Sequence, residues 1–117
     1  MKKLLFVSLM AAVAVVFYNC HGSKKAAAAM PPPKLNYATN VKSVIEMNCS
    51  PCHISGKGNK KPYDNYANVK ADIDEILRRI DLNPTDRGFM PFRKPAKLSD
   101  STIAVFKQWK TDGLLEN

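Results

Sequence analysis

The residues best suited to chemistry are concentrated in the pentapeptide CSPCH at positions 49–53. It contains two of the three cysteines of the chain and one of its two histidines. Two thiols one helical turn apart, followed directly by an imidazole, suit three kinds of site. These are a covalently attached haem, a redox-active dithiol and half of a zinc site.

The haem interpretation uses all three side chains together. Cys49 and Cys52 would bind the two vinyl groups along one edge of a porphyrin, and His53 would be the proximal ligand of the iron. A thioredoxin-type dithiol opens a helix in a βαβ framework, and no such framework is visible in this sequence. Structural zinc needs four ligands, and the sequence has no second Cys/His pair after position 53. The motif therefore favours one covalently bound haem c per chain over a dithiol or zinc.

The sixth ligand of such an iron must come from elsewhere in the chain. The domain offers no second histidine, because His21 lies near the N-terminus, so methionines are the candidates. Met90 lies 37 residues after His53 in the sequence RGFMPF, where Gly88 frees the backbone and Pro91 stiffens it. We expect Met90 to be the distal axial ligand. The alternative is a packing methionine beside an open or lysine-ligated iron.

Helices separated by two long loops must position these side chains. Apolar residues recur at helical spacing, and no stretch alternates as a strand would. The pattern predicts helices over 39–47, 63–69, 71–82 and 100–111, and loops over 54–62 and 83–97. For the last helix, we expect Ser99 to be the N-cap and Gly113 to follow the C-terminus. The fold class is therefore all-α, in a domain covering residues 35–117.

An all-α domain of this size with long loops buries little apolar area, and such domains usually need a staple or a cofactor. We expect a haem to complete the core. Met47 is expected to be a core-filling side chain. The apolar wall of the haem site is predicted to comprise Val44, Ile73, Ile76, Leu77, Ile80, Phe89, Phe92, Ile103, Phe106 and Trp109.

The N-terminus predicts export. Two lysines precede an apolar run over residues 4–18, which would span roughly 22 Å as a helix and is too short for a bilayer. We interpret residues 1–19 as a signal peptide and Cys20 as a lipid-anchor cysteine, followed by a Pro/Ala/Lys-rich linker to residue 34. Cleavage at the alanines of 26–29, giving a soluble periplasmic protein, is the alternative.

The charge of the chain points in the same direction. The formal net charge is +8, which suits nucleic acid, acidic proteins or anionic membranes. Export argues against DNA or RNA and favours acidic proteins on the periplasmic side of a bacterial membrane.

The chain resembles the small single-haem class I cytochromes c. The resemblance covers residues 37–117 and rests on Cys49-x-x-Cys52-His53, on Met90-Pro91 and on a terminal helix with Trp109. It implies three to five helices wrapped around a haem, thioether bonds at both cysteines, and His53 and Met90 as axial ligands.

Family members often orient the histidine through a proline carbonyl, and Pro62 matches that position approximately. The chain differs from the family at Ile54, where a glycine commonly follows the histidine, and its first helix lacks the common Gly–Phe pair.

Two axial ligands leave no open iron site, which favours electron transfer over enzymatic chemistry. The expected role is to shuttle electrons between respiratory partners. The alternatives are an accessory haem subunit of a larger oxidoreductase, and a gas-binding or peroxidatic protein with a labile methionine. Partners with acidic surfaces, such as respiratory complexes or a terminal oxidase, would meet cations in the two loops. These cations are Lys57, Lys60, Lys61, Arg87, Arg93, Lys94 and Lys97; Lys61, Tyr63 and Tyr66 are candidates to bind the haem propionates.

Overall fold

The computed structural model of the protein describes residues 31–117. The predicted signal peptide over 1–19, the predicted anchor Cys20 and the first part of the predicted linker lie outside these described residues. The residues Pro33–Asn117 form one compact unit. None of the helices in the described part of the chain has the length and apolar character needed to cross a membrane.

Three α-helices follow a π-helical turn. The turn is Tyr37–Val41, and it continues directly into α1 (Lys42–Asn48); α2 is Tyr66–Asp81 and α3 is Asp100–Thr111. No strand occurs between residues 31 and 117. The all-α class is therefore confirmed, and α3 has the predicted bounds.

Each helical segment begins at a polar cap. The side chains of Asn36, Asn65 and Ser99 each accept a hydrogen bond from the backbone N–H three residues later, at 2.8, 3.2 and 3.2 Å. Such a bond satisfies one of the free N–H groups of the first turn. Ser99 is thus the predicted cap of α3, which ends shortly before Gly113.

The central helix differs from the prediction. The sequence predicted two helices, over 63–69 and 71–82, but α2 is continuous from Tyr66. Val69, Ile73, Ile76 and Ile80 form one buried stripe along it. No glycine or proline between residues 69 and 71 breaks the helix, so the two predicted helices form one.

The core lies where α2 and α3 pack with the N-terminal helical segment. Its buried members are Tyr37, Val41, Ile45, Val69, Ile73, Ile76, Ile80, Ile103, Phe106 and Trp109. The rings of Tyr37, Tyr66 and Trp109 meet at centroid distances of 5.8–6.3 Å. Met47 was predicted to lie in this core, but 74% of it is exposed. Residues two apart on a helix point to opposite sides, and Ile45 occupies the buried side.

The two ends of this unit are joined. The backbone N–H groups of Tyr37 and Ala38 donate to the carbonyls of Leu115 and Glu116, at 2.9 and 3.0 Å. The indole Nε1 of Trp109 also donates to the carbonyl of Leu115, at 2.8 Å. These bonds hold the start of the helical region against the segment that follows α3.

Removing the hydroxyl of Tyr37 is expected to destabilise the protein. This hydroxyl donates to the carbonyl of Tyr63 at 2.8 Å, and Tyr37→Phe would leave that carbonyl without its partner. We expect a loss of about 1 kcal/mol, or a fall in melting temperature of roughly 4–8 °C, measured by circular dichroism. Tyr66→Phe removes an equivalent bond, to the carbonyl of Leu114, and should cost a similar amount. If the melting temperature stayed the same in either variant, the assignment of that hydrogen bond would be contradicted.

Candidate functional site

The CSPCH motif continues α1 as a tight turn. The N–H of Cys49 donates to the carbonyl of Ile45 at 2.8 Å, and the N–H of His53 donates to the carbonyl of Cys49 at 3.0 Å. Cys49 is half-buried and Cys52 is exposed, and neither forms a disulfide. The end of the helix thus presents both thiols and the imidazole from one short, hydrogen-bonded segment.

The motif lines a cavity of about 540 Å³, and Met90 lines the same cavity. Cys49, Cys52 and His53 reach it from the turn after α1, whereas Met90 belongs to the loop between α2 and α3. The volume lies within the range of about 300–1,000 Å³ that is usual for sites of small molecules and cofactors. The fold therefore brings together the four side chains that the sequence singled out.

Apolar side chains form most of the cavity wall. The predicted members Ile76, Ile80, Phe92 and Phe106 line it, and Ile45 and Leu98 also contribute. Most of Phe92 is exposed, so this ring lies at the mouth of the cavity. The other predicted wall residues, Val44, Ile73, Leu77, Phe89, Ile103 and Trp109, do not line it. Ile45 could have been found from its position one turn before Cys49.

The imidazole of His53 has a defined orientation. Its Nδ1 lies 2.8 Å from the carbonyl oxygen of Lys61, and its ring stacks on Tyr63 with centroids 4.5 Å apart and an interplanar angle of 1°. A hydrogen bond from Nδ1 leaves Nε2 as the nitrogen that can bind a metal.

The orienting carbonyl corrects one prediction. Pro62 was predicted to supply it, but the carbonyl beside Nδ1 is that of Lys61, one residue earlier. The carbonyl of Pro62 accepts instead from the side-chain amide of Asn68, at 2.9 Å. The backbone of Tyr63 also donates to the carbonyl of His53 at 2.8 Å, and this bond brings residue 61 over the ring.

The loop after His53 lies very close to the motif. The N–H of Gly58 donates to the carbonyl of Ile54, and the N–H of Lys60 donates to the carbonyl of Cys52, both at 3.2 Å. A Cβ atom at position 58 would lie only 2.1 Å from the carbonyl oxygen of Cys52. The motif therefore requires glycine at this position for steric reasons.

The loop that carries Met90 is held by α2. The N–H of Met90 donates to the carbonyl of Arg79 at 3.2 Å, and the guanidinium of Arg79 donates to the carbonyl of Gly88 at 3.4 Å. Gly88 has a positive φ of 93°, which fits the freedom expected at this position. Glu75 in turn binds Arg79 at 2.6 Å, and hydrogen bonds from Arg78 and Arg79 lower the pKa of Glu75 to about 2.

Arg79 and Glu75 line the cavity, and the sequence prediction missed both. A glutamate and an arginine four residues apart on a helix are typical of a surface ion pair, and this spacing does not indicate a cavity. Lys60, Lys61 and Lys94 add further positive charge to the cavity lining. Such a lining suits a ligand that is mainly apolar and carries acidic groups.

The two tyrosines proposed to bind acidic groups differ in position. Tyr63 lines the cavity together with Lys61. Tyr66 does not line it, because its ring packs in the aromatic cluster and its hydroxyl donates to the carbonyl of Leu114 at 2.8 Å.

The surroundings of the thiols bear on the two other interpretations of the motif. Burial raises the pKa of Cys49 to about 11, so this group is a protonated thiol at neutral pH. Dithiol redox catalysts depend instead on a cysteine whose pKa is lowered. Among residues 31–117, no group of three or more His, Cys, Asp or Glu side chains is arranged to hold a metal ion.

Comparisons with protein-family models, with curated proteins and with solved structures found no significant match. The function must therefore be inferred from the site itself. The features of this cavity fit a covalently attached haem. They are two thiols, an imidazole whose Nδ1 forms a hydrogen bond, a thioether from a second loop, apolar walls and a cationic lining.

Proposed function

We propose that this protein is a class I c-type cytochrome that transfers electrons through one covalently bound haem. The proposal rests on one observation above all: Cys49, Cys52, His53 and Met90 line one cavity, although 37 residues separate His53 from Met90. The resemblance of the sequence to this family supports the same conclusion.

Each of the four residues has a distinct role. Cys49 and Cys52 would hold the haem through thioether bonds, each formed by addition of the S–H across one vinyl group, with the sulfur on one vinyl carbon and the hydrogen on the other. This addition needs no external oxidant. His53 would hold the iron through Nε2, while its Nδ1 donates to the carbonyl of Lys61. Met90 would supply its thioether sulfur as the second protein ligand of the iron.

The protein surroundings favour electron transfer over substrate chemistry. The bound haem would supply a one-electron iron couple. The side chains of Ile45, Ile76, Ile80 and Phe106 give the cavity an apolar wall, and Met90 as a ligand would take the iron position that a substrate needs. The protein is therefore a carrier and has no enzymatic role of its own.

The proposed site of action is the periplasmic side of a bacterial membrane. A signal peptide over 1–19 and lipidation of Cys20 would tether the haem domain there, with the linker ending at residue 34.

Partners with acidic surfaces suit the cations of the two loops. Two of the seven, Lys61 and Lys97, form ion pairs with Asp72 and Asp81. The other five are exposed and make no ion pair within residues 31–117: Lys57, Lys60, Arg87, Arg93 and Lys94. These five remain able to attract an acidic redox protein, and the attraction should weaken with salt.

The decisive experiment is to test for covalent haem. The full chain would be produced in a host that attaches c-type haem, and the pyridine haemochrome spectrum would be recorded after extraction with acidified acetone. We expect the haem to remain with the protein, and mass spectrometry to find it on the peptide that contains Cys49 and Cys52. In the double variant Cys49→Ser, Cys52→Ser, any haem should be extractable.

The control is Met47→Ala, which changes a highly exposed residue beside the motif and should retain covalent haem. A wild-type protein that releases its haem, or that acquires none, would overturn the proposed function.

A further inference from the structure

Asp72 binds two residues of the loop that precedes α2. One carboxylate oxygen lies 2.8 Å from Nζ of Lys61, and the other accepts a hydrogen bond from the hydroxyl of Tyr63 at 3.1 Å. Asp72 is half-buried in α2. A single carboxylate thus joins this helix to both residues that flank Pro62.

These two loop residues are the ones that orient His53. The carbonyl of Lys61 is the partner of Nδ1, which fixes the edge of the imidazole, and the ring of Tyr63 covers its face. Both contacts depend on the position of the loop relative to the turn after α1. Asp72 therefore contacts both of the residues that touch the histidine, although it does not itself form a hydrogen bond with it.

We propose that Asp72 is a positioning residue that sets the orientation and hydrogen bonding of His53 through Lys61 and Tyr63. This role rests on the proposed function, in which His53 is an iron ligand. The partner of the non-ligating nitrogen determines the tautomer and ring orientation of a metal-bound histidine and increases its basicity. If the hydrogen bond from Nδ1–H is weaker, Nε2 donates less electron density to the iron, and the reduced state of the iron is favoured.

The ion pair alone has little effect on stability. The side chains of Lys61 and Asp72 are 45% and 28% exposed, and pairs of this kind typically stabilise a protein by at most about 1 kcal/mol. Because the hydrogen bond from Tyr63 is lost as well, we expect Asp72→Ala to lower the melting temperature about as much as Tyr66→Phe, but only Asp72→Ala should alter the hydrogen bonding of His53. That difference separates a positioning role from a general structural one.

The test compares the haem-loaded wild type with Asp72→Ala and Asp72→Asn. The main measurement is the rate of solvent exchange of the His53 Nδ1 proton, followed by NMR in the reduced protein. We expect exchange to be about fivefold faster in Asp72→Ala, the factor that corresponds to losing one typical hydrogen bond. Asp72→Asn can still accept from Tyr63 and should give an intermediate rate. The reduction potential should rise in Asp72→Ala.

Charge and positioning are separated by Lys61→Gln. Removing this positive charge would lower the reduction potential by electrostatics alone, yet loss of the contact with Asp72 should still accelerate exchange at Nδ1. Asp74→Ala is the matched control, because Asp74 lies on the same helix and its carboxylate binds Lys110 on α3, away from the loop. It should leave the exchange rate unchanged.

The two proposals fail in different ways. Equal exchange rates in the wild type, Asp72→Ala and Lys61→Gln, with covalent haem present, would overturn the role of Asp72 and leave the proposed function standing. Faster exchange in Asp74→Ala as well would also overturn it, since the effect would then be general. Absence of covalent haem in the wild type would overturn the proposed function, and with it this role.

Discussion

Replacing Met90 by alanine is expected to remove the methionine–iron charge-transfer band of the oxidised protein and to open the iron to carbon monoxide. If Met90 is the distal ligand, as proposed, carbon monoxide can bind to the wild type only after Met90 has left the iron. If the form with dissociated Met90 makes up about 0.1–10% of the wild type, only this fraction can react with carbon monoxide. In Met90→Ala the whole protein can react, so binding should be roughly 10- to 1,000-fold faster. The reduction potential should fall, since methionine ligation raises it. Optical spectroscopy and stopped-flow mixing with carbon monoxide measure these effects.

Met47→Ala provides the control for this experiment. Met47 has the same side chain, but it is exposed on α1 and does not line the cavity. Its replacement should change neither the band nor the rate of carbon monoxide binding. If Met90→Ala kept the band, or if Met47→Ala lost it, Met90 could not be the distal ligand.

The same experiment separates a carrier from a gas-binding or peroxidatic protein. Fast carbon monoxide binding in the wild type, equal to that of Met90→Ala, would indicate a labile ligand and favour the second role. The structure offers a reason to expect the opposite. The loop that carries Met90 is joined to Arg79 both through the N–H of Met90 itself and through the carbonyl of Gly88. Two bonds to one helix residue restrain the loop against opening.

The local chemistry of the site was predictable, because adjacent residues carry it. Cys49, Cys52 and His53 are close in any helical turn, so their common orientation follows from spacing alone. The proximity of Met90 to His53 was harder to predict, since no local rule brings residue 90 to residue 53. The two residues do line one cavity, while the role of Met90 as an axial ligand stays a prediction.

The contacts around these residues depended on the exact path of the loops. The carbonyl beside His53 belongs to Lys61 and not to Pro62 because a backbone bond between Tyr63 and His53 sets the loop position. A shift of one residue along a loop leaves no trace in hydrophobic periodicity. The role of Arg79 could not be predicted for a related reason. Its partner Glu75 lies on the same helix, but its contact with Gly88 depends on the tertiary structure.

Replacing Gly58 by alanine is expected to disrupt the site from outside the ligand set. The new Cβ would lie 2.1 Å from the carbonyl oxygen of Cys52 and 2.5 Å from that of Pro51. Both contacts are with backbone, which cannot rotate away as a flexible side chain could. Either the loop over 54–62 moves or the motif does. We expect a loss of about 3 kcal/mol or more in stability and a lower yield of covalent haem.

Gly56→Ala distinguishes this steric effect from ordinary glycine strain. Gly56 has a positive φ of 71°, but no atom lies within 4 Å of a Cβ placed there. Alanine at this position should cost only about 1 kcal/mol and leave haem attachment intact. The haem content per protein and the urea unfolding curve of both variants provide the comparison. If the loop over 54–62 can simply move aside, Gly58→Ala should resemble Gly56→Ala in both measurements. Equal effects of the two variants would therefore mean that residue 58 does not restrain the turn at Cys52.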